Sequence, residues 1–439
     1  VSVRTAARLG PYPAGVDNRV VVGGSALTWR DLPEPVLPDP VAVLAHSARD
    51  ALAAARHHAV HGTELLLTSA GRVDTGMRDD LRAAGFTLTA ADPTPLGHGA
   101  ALGDGAVVGG DGLVVLAPTR PRPAERGRLW LLTSGTTGRP KRVGHTLESV
   151  TTVRGAQPGR TWLCPYAPGT YAWWQVVTLA LTQPGQHLVV VEPERLDDWP
   201  ALAAAHGVDA ASGTPTFWRR ALHRDPEALA RVPLRQLTLG GEPVDQAILD
   251  RLREVFPAAR ISWIYASSEV GAAIVVHDGR AGFPVEWLDR SAPERPIIGL
   301  RDGELVVTSP HHGVGLAGPV RTGDRAQVVD GRVLISGRLD TDEINVGGSK
   351  VSAGLVRDVL TAHPRVAWAR VTGRRAPLLG HMVVAEVVPA PPVSGATGPD
   401  LDEAALVRWC TDRLPEYAVP RRIRLHAEIP VKETLKSDV

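Results

Sequence analysis

An α/β fold with a large N-terminal body and a small C-terminal domain is predicted by three features of the chain. Apolar β-branched runs alternate with Ala/Leu-rich helical stretches through most of the sequence, a pattern of largely parallel sheets with covering helices. From about residue 300 the texture turns β-rich, and after about 340 a shorter α/β pattern begins. The length, 439 residues with 44% apolar content, accommodates two or three units with real cores, at roughly 100–200 residues per domain.

The elements follow in order. HSARDALAAARHHAVHG (46–62) reads as a helix, TELLLTS (63–69) as a strand and TGMRDDLRAAG (75–85) as a helix. Later, the strand QHLVVVE (186–192) precedes the helix LDDWPALAAAHG (196–207). The strand RQLTLGG (235–241), the helix PVDQAILDRLREVF (243–256) and the strand RISWIYA (260–266) form a further unit of the same kind. GELVVTSP and AQVVDGRVLISG read as antiparallel strands, with a hairpin at Asp330–Gly331. The C-terminal stretch shows a helix near 352–361, strands in VAWARVTG and HMVVAEVVPA, a surface loop in PPVSGATGPD (391–400) and a helix in DEAALVRWCTDRL.

Composition excludes several classes of function. With 48 Lys+Arg against 47 Asp+Glu, the net charge of +1 offers no basic excess for nucleic acid or a membrane surface. No apolar run approaches the ~20 residues that span a bilayer, and the N-terminus VSVRTAARLG lacks a signal-like apolar core. Cys164 and Cys410 provide neither a disulfide framework nor a metal knuckle. A soluble cytoplasmic protein is expected. Of the basic residues, 44 are Arg and only Lys141, Lys350, Lys432 and Lys436 are Lys. Lysines that persist in so Arg-biased a chain mark places where a compact ammonium is needed.

The first chemical segment is LWLLTSGTTGRPKR (129–142), an apolar strand running into a loop of hydroxyls and glycines that ends in Pro140–Lys141. Small residues let backbone N–H groups converge on an anion, hydroxyls add donors and lysine adds charge, which is what a triphosphate requires. The Pro before Lys141 and Arg142 after it separate this loop from a Walker A motif. The string TSGTTGRPK resembles the phosphate loop of the AMP-forming ligase superfamily (acyl-CoA synthetases, adenylation domains and luciferases). The resemblance implies that Thr133, Ser134, Gly135, Thr136, Thr137, Gly138 and Lys141 cradle the phosphates of ATP.

The family's other segments follow in order from about residue 130 onward. LTLGGEPVDQAIL (237–249) resembles the segment whose turn, here Gly240, Gly241 and Glu242, packs against adenine. IYASSEVG (264–271) is similar to the Tyr-Gly-x-Thr-Glu box. By that resemblance Tyr265 stacks on adenine, Ala266 and Ser267 line the nucleotide, Ser268 donates to the α-phosphate or the substrate carboxylate, and Glu269 holds Mg²⁺. An aromatic plane suits a base, and a hard carboxylate oxygen suits a hard cation. In RTGDRAQ (321–327), Asp324 corresponds to the carboxylate that accepts from both ribose hydroxyls. GRLDTDEINVGGSKVS (337–352) resembles the hinge box, with Arg338 on ribose and phosphate. One extra residue relative to the family pattern leaves the pivot open among Asp340, Thr341 and Asp342, and Leu355 and Arg357 stand near the places of the usual glutamates. IPVKETLKSDV (429–439) resembles the C-terminal Pro-x-x-x-x-Gly-Lys loop, making Lys436 the catalytic lysine. Because Leu435 replaces the usual Gly, the loop is expected not to require a positive φ there.

The resemblance implies an adenylate-forming body over 1–338 and a mobile lid over 339–439. It implies attack of a carboxylate on the α-phosphorus of ATP, with Mg²⁺, to give an acyl-adenylate and pyrophosphate. The acceptor stays open among CoA, the phosphopantetheine of an acyl-carrier protein, an amine, or none. The segment CPYAPGTYAWWQVV (164–177), with 213–218 and 240–242, offers Tyr166, Tyr171, Trp173, Trp174 and Gly213 as a pocket and no Asp for an α-ammonium. A small aromatic or unsaturated acid is therefore favoured. Adenylation of another oxyacid such as nitrite, an ADP-forming phosphotransferase and an inactive nucleotide-binding scaffold are the alternatives.

Overall fold

The computed structural model describes residues 13–90, 106–108, 114–133, 140–153, 155–376, 380–391, 401–432 and 435–437. The loop expected at 391–400 lies, beyond its first residue, outside the described residues. The chain forms two compact units, one of 1–212, 267–271 and 311–316, the other of 213–266, 272–310 and 317–439.

The first unit is built on a mixed sheet whose middle is parallel. Its strand order runs Ala106–Val108, Val114–Leu116, Thr87–Ala90, Val41–Ala45, Leu65–Ser69, Arg128–Thr133, Lys141–Thr146. All five residues of Val41–Ala45 are buried, as a strand covered on both faces requires. The covering helix Ala48–His61 starts at Ser47, whose side chain accepts from the Asp50 N–H in a capping box, and stops at Gly62 with φ 68°. Behind the strand Leu65–Ser69, the fully buried Glu64 carboxylate receives Arg122 at 2.5 and 2.8 Å, the Glu125 N–H at 2.6 Å and Trp130 Nε1 at 2.7 Å. Burial alone would push this carboxyl up, but the Arg122 guanidinium and the two N–H donors hold it below the ordinary range. In a second sheet of this unit, Arg160–Cys164 pairs in parallel with Gln186–Val190 and with Ala210–Gly213. Arg19–Val22 extends it parallel to Gln186–Val190, and the hairpin partner Ser25–Thr28 closes the edge.

In the second unit Gln236–Gly240 and Arg260–Ser267 run parallel, Gly240 opposite Ile264, with Gln246–Val255 as the crossover helix. The β-rich section is a five-stranded sheet ordered Phe283–Pro284, Arg332–Arg338, Val320–Val329, Glu304–Thr308, Ile297–Arg301. Its Asp330–Gly331 turn has φ 47° and 73°, the two left-handed residues that a type I′ hairpin needs. The C-terminal α/β section pairs Val366–Ala376 with Gly380–Pro389 in antiparallel fashion, with Arg422–Leu425 parallel beyond it. The helices Ala353–Thr361 and Glu403–Thr411 bury Val356, Leu360, Leu406 and Cys410 into one core with Val366 and Val387. Between these parts the candidate pivot residues Asp340, Thr341 and Asp342 lie in the helical turn Leu339–Asp342. There Asp342 is buried, accepting from Ser352 Oγ at 2.7 Å and the Gly354 N–H at 2.6 Å while pairing with Arg325 at 3.1 Å. Among the described residues no helix is long and apolar enough to cross a membrane.

Candidate active site

In the first unit the strand Arg128–Thr133 delivers the chain to the phosphate-loop segment and Lys141–Thr146 brings it back, with Thr133 directly opposite Lys141. Lys141 is exposed at the mouth of that loop. The expected cradle residues Ser134, Gly135, Thr136, Thr137 and Gly138 lie outside the described residues. In the Tyr-box turn, Ser267 Oγ accepts from the N–H groups of Glu269 (3.2 Å) and Val270 (3.3 Å), a local hydroxyl–backbone turn. The Glu269 carbonyl accepts from the Gly313 N–H at 2.8 Å. Its half-buried carboxylate has no hydrogen-bond or ion-pair partner among the described residues. The Ser268 carbonyl accepts from His145 Nε2 at 2.7 Å. Burial pushes His145 below the ordinary imidazole value, so the ring is neutral and Nε2 carries the donated proton. His145, a strand residue with no distinguishing neighbours in sequence, is a support for this turn that the motifs do not reveal.

The expected aromatic pocket divides. Tyr171 keeps its hydroxyl at the same turn: a Cβ on Gly271 would lie 3.3 Å from it and 3.0 Å from the His311 carbonyl. Trp173 and Trp174, in contrast, are 0% exposed and meet edge to face with centroids 4.9 Å apart. They belong to the core, because the helix Tyr171–Thr182 buries nearly its whole circumference. Tyr166 is likewise buried, 3.0 Å from Ser212 Oγ. At Gly213, in the second unit, a Cβ would meet the Phe217 ring at 2.2 Å, so the packing of that ring requires glycine.

In the second unit the structure brings Tyr265, Asp324 and Arg338 together. Asp324 and Arg338 face each other across adjacent strands. Tyr265 donates its hydroxyl to Asp324 Oδ2 at 2.5 Å, and Arg338 Nη1 approaches Oδ1 at 3.3 Å while donating to the Thr322 carbonyl at 2.7 Å. Burial and the adjacent Asp324 charge raise the Tyr265 phenol well above its ordinary value, so it remains a donor. Burial also raises Asp324, only partly offset by Tyr265, Arg338 and Lys436. Ala266 continues the same strand, Arg260–Ser267, half-buried.

Lys436 lies over the Gly240–Gly241 turn. Gly241 has φ 83°, a conformation that favours glycine, and a Cβ on it would sit 3.2 Å from Lys436 Cε and 3.6 Å from Nζ. At Gly240 a Cβ would come within 3.1 Å of the Ile264 carbonyl. Glu242 points elsewhere: its oxygens accept from the Thr216 N–H (2.9 Å), the Thr216 hydroxyl (3.0 Å) and the Ser437 N–H (2.9 Å). One expectation is overturned, for Leu435 has φ 62°. A left-handed turn is needed after all, because Leu435 donates to the Lys432 carbonyl, Lys432 donates to the Lys436 carbonyl, each at 2.8 Å, and the Leu435 side chain is only 2% exposed. Thr214 and Thr216 fall in the expected pocket segment 213–218, but their bonds to the lysine tail, and the part played by Ser437 and Trp368, were not legible. Thr214 also caps the helix Pro215–Arg224, its side chain accepting from the Phe217 N–H.

Comparison with known proteins accords with this layout. Residues 43–330 match the AMP-binding enzyme family and 356–436 match the AMP-binding enzyme C-terminal domain. A 4-chlorobenzoate–CoA ligase of Arthrobacter sp is 29% identical over 267 residues, 55% of this chain and 48% of the relative. A 3,4-dihydroxybenzoate–[aryl-carrier protein] ligase of Bacillus anthracis is 26% identical over 211 residues, 46% of this chain and 44% of the relative. The chain thus spans about half the length of the curated relatives it matches. Among solved structures, the amide bond synthetase McbA from Marinactinospora thermotolerans shares the fold with a TM-score of 0.64 at 22% identity, covering 97% of this chain and 96% of that one. With a family match over most of its length and a second over its C-terminal section, the chain belongs to the AMP-binding enzyme family, the acyl-CoA synthetase and adenylation ligase superfamily.

Proposed function

We propose that the protein is an AMP-forming ligase that adenylates a small aromatic carboxylic acid. The observation that carries this reading is Lys436 over the Gly240–Gly241 turn, in the same unit as the Tyr265–Asp324–Arg338 set. A carboxylate oxygen of the acid attacks the α-phosphorus of ATP. The bond to the bridging oxygen breaks, pyrophosphate leaves with its electron pair, and the acyl-adenylate remains. Asp324, an acceptor-only carboxylate, takes the ribose diol beside Arg338, and Tyr265 presents its ring to the base. Lys436 stabilises the charge that builds on the reacting oxygens, and Ser268 orients the acid. Thr133 and Lys141 flank the phosphate loop. The half-buried carboxylate of Glu269, a hard oxygen donor, would hold Mg²⁺, which would neutralise phosphate charge.

In this reading residues 1–338 form the adenylating body and 339–439 the lid, a division supported by family matches ending at 330 and resuming at 356. The acyl group then passes to a thiol, of CoA or of a carrier protein's phosphopantetheine, or to an amine. An aromatic acid is supported by the likeness to chlorobenzoate and dihydroxybenzoate ligases and by Tyr171 at the Gly271 turn. None of these relatives supports the nitrite alternative. A cytoplasmic setting, where ATP is abundant, fits this reading.

The test is pyrophosphate release from ATP across a panel of aryl acids. AMP and pyrophosphate are the expected products, whereas ADP would overturn the reading. Lys436→Ala should slow adenylation by about 10²–10³-fold, the usual cost of removing one pre-organised charge-stabilising group. An unchanged rate would take Lys436 out of the mechanism.

A further inference from the structure

The backbone on both sides of Lys436 is held by a hydrogen-bond chain whose direction the chemistry dictates. At one end stands Trp368 Nε1–H, which can only donate, and at the other the Glu242 carboxylate, which can only accept. Ser437 Oγ lies 3.0 Å from Trp368 Nε1 and 2.8 Å from Thr216 Oγ1, which in turn lies 3.0 Å from Glu242 Oε1. With both ends fixed, each hydroxyl must accept from one neighbour and donate to the next, so the protons run from Trp368 through Ser437 and Thr216 to Glu242. The Ser437 and Thr216 N–H groups complete the carboxylate at 2.9 Å each. Before the lysine, the Thr214 hydroxyl donates to the Leu435 carbonyl. Thr214, Thr216, Trp368 and Ser437 are all buried.

We propose that Trp368, Ser437, Thr216 and Glu242 form a clamp that sets Lys436 at the Gly240–Gly241 turn for adenylation. The proposal rests on the adenylating activity argued above. These four are positioning residues, acting on the reaction only through the lysine. Buried hydroxyls in series make the clamp cooperative, because loss of one leaves its neighbours unsatisfied in a dry setting. A misplacement on the order of 1 Å can cost about 10²-fold in rate, so the clamp governs catalysis without touching nucleotide. It also gives Glu242 a role that its place beside the Gly-Gly turn does not suggest.

The deciding experiment is adenylation kinetics of the full chain in a double-mutant cycle. Thr216→Val removes the middle hydroxyl at nearly constant volume, and Thr216→Ser restores it. Thr216→Val should lower kcat for pyrophosphate release by roughly 10–100-fold, with KM for ATP within about 2-fold, and Thr216→Ser should recover most of the rate. In a Lys436→Ala background, Thr216→Val should have no further effect, since a group acting through the lysine is non-additive with it. An unchanged kcat in Thr216→Val, or the same loss with and without Lys436, would overturn the clamp. A wild-type chain that binds ATP yet releases no pyrophosphate with any acid would instead overturn the adenylation reading, and the clamp with it.

Discussion

Leu435 shows how the C-terminal tail settles a conflict between backbone and side chain. A non-glycine residue in the left-handed region costs roughly 1–2 kcal/mol, and Leu435 stands there at φ 62°. Fully burying a leucine contributes about 1.5–3 kcal/mol, and only 2% of Leu435 is exposed. Burial wins, so the loop keeps the turn that glycine would make freely while gaining an apolar anchor just before Lys436. Leu435→Ala should lose the anchor and keep the strain, whereas Leu435→Gly loses the anchor and relieves the strain. The glycine variant should therefore adenylate faster than the alanine variant, by roughly the 5-fold that about 1 kcal/mol represents. Pre-steady-state pyrophosphate release compares them, and an alanine variant equal to or faster than glycine would refute the conflict.

At the scale of elements, the sheet of the first unit depends on a buried charge as well as on apolar burial. Glu64 sits at the head of Leu65–Ser69 with four donors on its carboxylate, and those donors come from the segment leading into Arg128–Thr133 and from that strand itself. The neighbouring parallel register, Leu65 opposite Leu129, carries the chain toward the segment expected to meet phosphate. Arg122→Ala leaves the buried carboxylate without its countercharge, and breaking such a pair typically costs about 3–5 kcal/mol. Urea unfolding should register that loss, while a change under ~1 kcal/mol would mean that the N–H donors alone satisfy Glu64. The hairpin at Asp330–Gly331 makes the complementary point. Its Asp-Gly pair dictates the type I′ turn locally, and the strands Val320–Val329 and Arg332–Arg338 pair around it to set Asp324 opposite Arg338.

For the whole molecule, nucleotide binding should appear as stability. A ligand that binds only the folded state adds about 2.7 kcal/mol at a hundredfold excess over Kd. MgATP should therefore raise the unfolding temperature of the wild type, and Asp324→Ala should abolish most of that rise while leaving the ligand-free transition close to wild type. A full shift retained in Asp324→Ala would remove Asp324 from the nucleotide site.

The same scale separates what was legible in the sequence from what was not. The helix expected at 46–62 forms over Ala48–His61, and the strand expected at 235–241 forms over Gln236–Gly240, because caps, glycines and periodicity act between near neighbours. The family was legible for a similar reason: its segments are short contiguous runs of particular residue types at fixed spacings. Trp173 and Trp174 misled because periodicity along one helix cannot tell a core face from a pocket face. Leu435 misled because its φ answers to long-range burial and to hydrogen bonds of the folded tail, and residue type alone did not predict it. The α/β class, the family and the candidate site residues were readable because each is written in contiguous segments. That Tyr265 bonds Asp324, that Glu242 receives Ser437 and that Thr214 and Thr216 bond the lysine tail emerges only in the folded chain. Those pairings join residues far apart in the chain, and hydrogen-bond partners at such separations are set by which buried surfaces fold together.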